Sequence, residues 1–147
     1  MNQAFQKILC PIDFDENSMA ALDLACRIAV QNKASIRLLH VLPLPATAAD
    51  IGPVPLEPYG VFERDARIKL EQIVKQRVPA DLSCEVETST GGPAQSIVAA
   101  EEKYGIDLVV MATHGRKRSA VGHFFLGSVA ERVVRESQCP VLVVPPK

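Results

Sequence analysis

Five apolar runs alternate with four segments of helical period along this chain, and no other feature restricts its possible folds as much. The runs are KILCPI from Lys7, IRLLHVL from Ile36, LSCEVET from Leu82, DLVVMA from Asp107 and PVLVV from Pro140. Between them, residues 16–31, 60–77, 93–104 and 127–137 carry apolar side chains at the three- and four-residue spacing of an amphipathic helix. Such alternation calls for crossovers of one hand between parallel strands, so that helices cover both faces of one sheet. The expected class is α/β: a three-layer, doubly wound, five-stranded parallel sheet.

The helical periods name the inward faces. Leu22, Ala25, Cys26 and Ala29 mark the first helix, and Phe62, Ala66, Leu70 and Ile73 the second. In the third, Pro93 suits the first turn, where its missing N–H costs nothing, and Ala94, Ile97 and Val98 face inward. Ser128 is cap or first-turn residue of the fourth, which buries Ala130, Val133 and Val134. Residues 43–58, with five prolines, show no helical period and read as a long loop over the site.

Strand composition orders the sheet. LSCEVET alternates apolar and polar residues, as an edge strand does, whereas KILCPI, IRLLHVL and DLVVMA are nearly continuous apolar runs. With the third strand at one edge, the economical order is 3-2-1-4-5, and the switch point falls between strands one and four. Ligands of such sheets bind there, at the carboxyl ends of the strands. The fifth strand is then the other edge, yet Val141, Leu142, Val143 and Val144 are all apolar. An apolar edge invites pairing, and a homodimer through these four residues is expected.

A chain of 147 residues with 48% hydrophobic content suits one domain, spanning residues 1–147, around one sizeable core. The net charge of -1, from 16 basic and 17 acidic side chains, argues against a surface built to neutralise nucleic acid phosphates. No long apolar run occurs near Met1, so neither a membrane partner nor export is expected, and the location is read as cytoplasmic. Cys10, Cys26, Cys84 and Cys139 lack zinc-ligand spacing and read as small buried hydrophobes.

Two places carry candidate chemistry. Asp13 and Asp15 follow the first strand beside the switch point. Asp15, ahead of ENSMAAL, is better explained as a helix cap, whereas Asp13 is equally a ligand contact or a cap. The second place is the segment from Ala112 to Ser128, which holds Thr113, His114, Gly115, Arg116, Lys117, Arg118, Gly122 and His123 before a helix opens at Gly127 and Ser128. Free backbone N–H groups at such a helix start suit an anion. Neither a GKS/GKT phosphate loop nor a GxGxxG dinucleotide pattern is present. No nucleophile or carboxylate motif accompanies His114 or His123, so no catalytic residue is assigned, and His40 reads as a hydrogen-bonded strand histidine.

Over essentially its full length the chain resembles the universal stress protein family. KILCPIDFDENSMAAL, LLHV, GGPAQSIV, DLVVMATHG and GSVAERVVRESQCPVLVV carry the resemblance together. It implies a fold of the flavodoxin or adenine nucleotide alpha hydrolase type. It also implies comparison with the family's ATP-binding subgroup, which carries a GxxGx9G(S/T) motif. Gly115 stands at the second glycine and Gly127 with Ser128 at the terminal pair, while Ala112 replaces the first glycine and the interval 116–126 is two residues longer than nine. By resemblance, the nucleoside of ATP or AMP, with Mg as its companion, lies near Pro11, Ile12, Asp13, Val41 and Met111, and the phosphates lie near Gly115, Gly127, Ser128 and Val129. Ala112 and His114 complete the candidate nucleotide-binding set.

The expected function is therefore a cytosolic nucleotide-binding regulatory module of the stress response without efficient catalysis. A non-ATP-binding dimeric interaction protein of the same family, and a slow ATP hydrolase with metal on Asp13, are the alternatives. A phosphoacceptor receiver domain is disfavoured: it needs an aspartate after the third strand and a lysine after the fifth, where TSTGG and VVPPK stand.

Overall fold

The computed structural model describes residues 4–43, 56–113 and 126–146, and of residues 56–59 the helical backbone. The elements in order are β1 (Lys7–Pro11), α1 (Glu16–Asn32), β2 (Ser35–Leu42), α2 (Leu56–Arg77), β3 (Cys84–Thr90), α3 (Pro93–Tyr104), β4 (Leu108–Ala112), α4 (Ser128–Glu136) and β5 (Val141–Val144). All strand pairs are parallel and the sheet order is β3-β2-β1-β4-β5, as the strand composition implied.

The sheet separates two cores. On one face Ile8, Cys10, Ile36, Leu38, Leu108 and Val110 meet Leu22, Ala25 and Ala29 of α1 and Leu70 of α2. On the other, Leu9, Leu39, Val109 and Met111 meet Ala94 and Ile97 of α3 and Ala130 and Val133 of α4. Successive strand residues face opposite sides, so a strand buried on both faces must be apolar throughout, and β1, β2 and β4 are nearly so. At the β3 edge, Arg37 of β2 pairs with Glu85 and Glu87, stacks 3.6 Å from the Tyr104 ring centroid, and so occupies the polar positions of the alternating strand.

Three local expectations need correction. Helix α2 begins at Leu56, so residues 56–58 are helical rather than loop; Pro58 falls in the first turn, where no intrahelical N–H bond is lost. Phe62 and Val134 are exposed: among the described side chains of α2 burial starts one turn later, at Ala66, and in α4 it falls on Ala130 and Val133. Cys84 and Cys139 are only partly buried, whereas Cys10 and Cys26 are buried. Burial pushes every thiol up, Cys26, Cys84 and Cys139 to about 11, with smaller contributions from neighbouring charge.

Candidate functional site

The site grows out of the switch point. Strand β1 connects to α1 on one face of the sheet and β4 to α4 on the other, so a crevice opens above their adjacent carboxyl ends. A cavity of about 450 Å³ occupies it, within the size range of small-ligand pockets. Its floor is apolar: Pro11, Ile12, Leu39, Val41, Met111 and Ala112 come from the ends of β1, β2 and β4. Pro93 and Ile97 close one side from α3, and Gly127, Ser128, Val129 and Ala130 another from the start of α4.

Nine of the eleven site residues nominated from sequence stand in this wall: Pro11, Ile12, Asp13, Val41, Met111, Ala112, Gly127, Ser128 and Val129. His114 and Gly115 lie outside the described residues, as do Arg116, Lys117, Arg118, Gly122 and His123. Val41 lies within β2, near its carboxyl end. The wall also contains Thr113, from the polar segment singled out in the sequence, and Ser18, Leu39, His40, Pro93, Ile97 and Ala130, which sequence reasoning had not nominated as ligand contacts.

The polar groups are few and held in place. Asp15 caps α1, its Oδ1 accepting the Ser18 N–H at 2.8 Å, as the ENSMAAL context predicted. Asp13 is exposed at the cavity and joins the same turn: its Oδ1 accepts from the Asp15 N–H at 3.2 Å and from the Ser18 hydroxyl. His40 Nδ1–H donates to the Ile12 carbonyl at 2.7 Å, which fixes the tautomer when the ring is neutral, and its ring packs 4.4 Å from that of Phe14. The strand-histidine reading is correct for the bond, although His40 also contributes to the wall.

At the opposite end, α4 starts at Gly127 with no side-chain cap. Gly127 has φ 96° and ψ 142°, a backbone state that side-chain-bearing residues avoid, and its carbonyl accepts the first helical bond from the Glu131 N–H at 2.9 Å. The amides of Ser128 and Val129 precede that first bond and border the cavity, with the positive end of the helix dipole behind them. Such a cradle suits an anion joined to a flat apolar group. Among the described residues, no set of three or more His, Cys, Asp or Glu side chains is gathered as a metal site.

A doubly wound parallel sheet with an apolar crevice at its switch point and a helix start beside it defines an α/β protein of the class whose candidate site lies at the carboxyl ends of the strands. Residues 4–145 match the model of the universal stress protein family, and this chain belongs to that family. Universal stress protein MJ0531 of Methanocaldococcus jannaschii is 32% identical over 148 residues, covering 95% of this chain and 82% of the relative. Universal stress protein MJ0577 of the same organism is 30% identical over 159 residues, covering 98% and 97%. The solved structure of MJ0577 superposes with a TM-score of 0.81 at 29% identity over 99% of both chains. Two further structures share the fold: a universal stress protein in complex with cAMP (TM-score 0.66, 24% identity, 97% and 98% covered) and one from Archaeoglobus fulgidus in complex with dAMP (TM-score 0.67, 16% identity, 96% and 98% covered).

Proposed function

We propose that this single-domain protein is a cytosolic regulatory module that binds an adenine nucleotide, ATP or AMP, and does not turn it over efficiently. The observation that carries this is the join, in one cavity, of an apolar slot between β1, β2 and β4 with the uncapped start of α4 at Gly127. A purine fits the slot by its flatness and apolar faces, Asp13 offers a carboxylate for sugar hydroxyls, and the Ser128 and Val129 amides offer donors for phosphate. The cAMP and dAMP complexes of proteins with the same fold support the ligand class. Magnesium, where it accompanies ATP, would be held chiefly by the phosphates, with Asp13 the nearest carboxylate of the wall.

In this role the protein's residues orient and shield the ligand. Pro11, Ile12 and Met111 exclude water from the base. Occupancy then acts as the signal. The β5 edge, whose Leu142 is 38% exposed, supports a homodimer through Val141–Val144 as the element that reports it.

Calorimetry on nucleotide-free protein tests the proposal. At a free AMP or ATP concentration a hundredfold above Kd, stability rises by about 2.7 kcal/mol, and a domain of this size then melts roughly 5–11 °C higher. Absence of saturable heat and of a melting shift at millimolar nucleotide refutes it. Asp13→Ala weakens binding without abolishing the fold, and Leu142→Lys turns a dimer into a monomer in sedimentation.

A further inference from the structure

Buried polar side chains are few in this protein. Among the described residues only Ser18, Glu101 and Thr113 qualify, at 2%, 6% and 5% exposure, and two of the three stand in the cavity wall. A hydroxyl withdrawn from water is unfavourable unless bonded, so each must hold a defined partner. Both partners are pieces of the site itself.

Ser18 Oγ donates to Asp13 Oδ1 and accepts the Asp13 N–H at 3.0 Å. The Asp15 amide reaches the same Oδ1, and Asp15 Oδ1 in turn holds the Ser18 N–H. The carboxylate of Asp13, exposed at the cavity, is thereby tied to the first turn of α1. On the other side, Thr113 Oγ1 donates to the carbonyl of Leu126, the residue before Gly127, while the Thr113 N–H donates to Val144 at 3.2 Å. The end of β4 thereby sets where the chain enters α4. A glycine has wide conformational choice, and this tether selects one orientation of the amides that follow it.

We infer that Ser18 and Thr113 are positioning residues for opposite ends of a bound nucleotide: Ser18 sets the Asp13 carboxylate for the nucleoside, and Thr113 sets the Gly127–Ser128 turn for the phosphate. The inference rests on the nucleotide reading above. Each hydroxyl removes freedom from a ligand-facing group before the ligand arrives, so its loss appears as weaker binding at that end alone.

Adenosine and AMP separate the two ends, since they differ only in the phosphate. Ser18→Ala should weaken both by the same factor, on the order of tenfold for one lost positioning bond. Thr113→Val, which keeps the shape and removes the hydroxyl, should weaken AMP on the order of tenfold and adenosine by less than about twofold. Thr113→Ser retains the hydroxyl and restores the AMP-to-adenosine ratio. In the Asp13→Ala background Ser18→Ala should add no further loss, because it acts through Asp13.

Equal losses of AMP and adenosine in Thr113→Val refute its assignment, and an additive loss in the Asp13→Ala, Ser18→Ala pair refutes that of Ser18. If Thr113→Val does not fold, a reduced AMP-to-adenosine ratio in Thr113→Ser likewise overturns the assignment, and an unchanged one supports it. Wild-type protein that binds neither ligand overturns the nucleotide reading instead.

Discussion

Replacement of Gly127 by alanine tests the anion cradle at its most restrictive point. At φ 96° and ψ 142° an L side chain is strained by about 1–3 kcal/mol, so the variant either bears that strain or relaxes to another backbone state. Bearing it lowers the melting temperature by about 2–4 °C per kcal/mol for a domain of this size, or roughly 2–12 °C in all. Relaxing turns the Ser128 and Val129 amides away from the cavity, and losing one charge-assisted bond to phosphate is worth about 1.5–3 kcal/mol. That corresponds to roughly a 10- to 150-fold weaker Kd for AMP, with adenosine unchanged. Differential scanning fluorimetry reads the first effect, and paired calorimetric titrations with AMP and adenosine read the second. Gly127→Ala protein that melts within about 1 °C of wild type and binds AMP equally well refutes both the strain and the cradle.

Glu101, buried in α3, accepts the Gln138 and Cys139 amides at 2.6 and 3.0 Å and the Ser137 hydroxyl, so it fixes the turn leading into β5. Glu101→Ala leaves those donors unpartnered, costs about 3 kcal/mol and lowers the melting temperature by roughly 6–12 °C, while nucleotide affinity is unchanged. Lys33 and Phe14 both have left-handed backbones, with φ 56° and 70°, yet glycine should act oppositely at the two. Lys33→Gly relieves strain at the C-cap of α1 and stabilises by about 0.5–1 kcal/mol, whereas Phe14→Gly also loses the contact with His40 and destabilises, as urea unfolding would show. Burial keeps the folded thiols protonated to about pH 11, above the unfolded value. Their contribution to stability is complete below about pH 8.5 and declines as pH rises towards 11. The urea midpoint should fall over that interval, and a thiol reagent at pH 8 should label native protein far more slowly than unfolded protein.

The architecture was legible because it follows from periods. Apolar runs and 3.6-residue stripes located the nine elements found among the described residues, and the alternation in LSCEVET placed β3 at an edge. Legibility failed where a period does not decide. Phe62 and Val134 are apolar at helical spacing yet exposed, since spacing does not say how far along or around a helix its cover extends. Pro58 looks like a breaker although the first turn of a helix accepts it.

The wall of the site divides in the same way, and the division has a physical origin. Its apolar floor is visible in sequence because strand ends at a switch point are predictable from the order of the sheet. Its polar braces are not, since a hydroxyl reveals its partner only once two distant segments meet. Thr113 needs Leu126, 13 residues away, and its motif position beside Ala112 says nothing of that bond. Ser18 did carry a signal: it falls four residues before Leu22 and seven before Ala25, on the buried stripe of α1, where a polar side chain requires an internal partner. A buried-face serine five residues after an exposed aspartate at a strand end is thus a mark by which a braced site can be sought. Its weight depends on whether removing the Ser18 hydroxyl affects ligand affinity through Asp13.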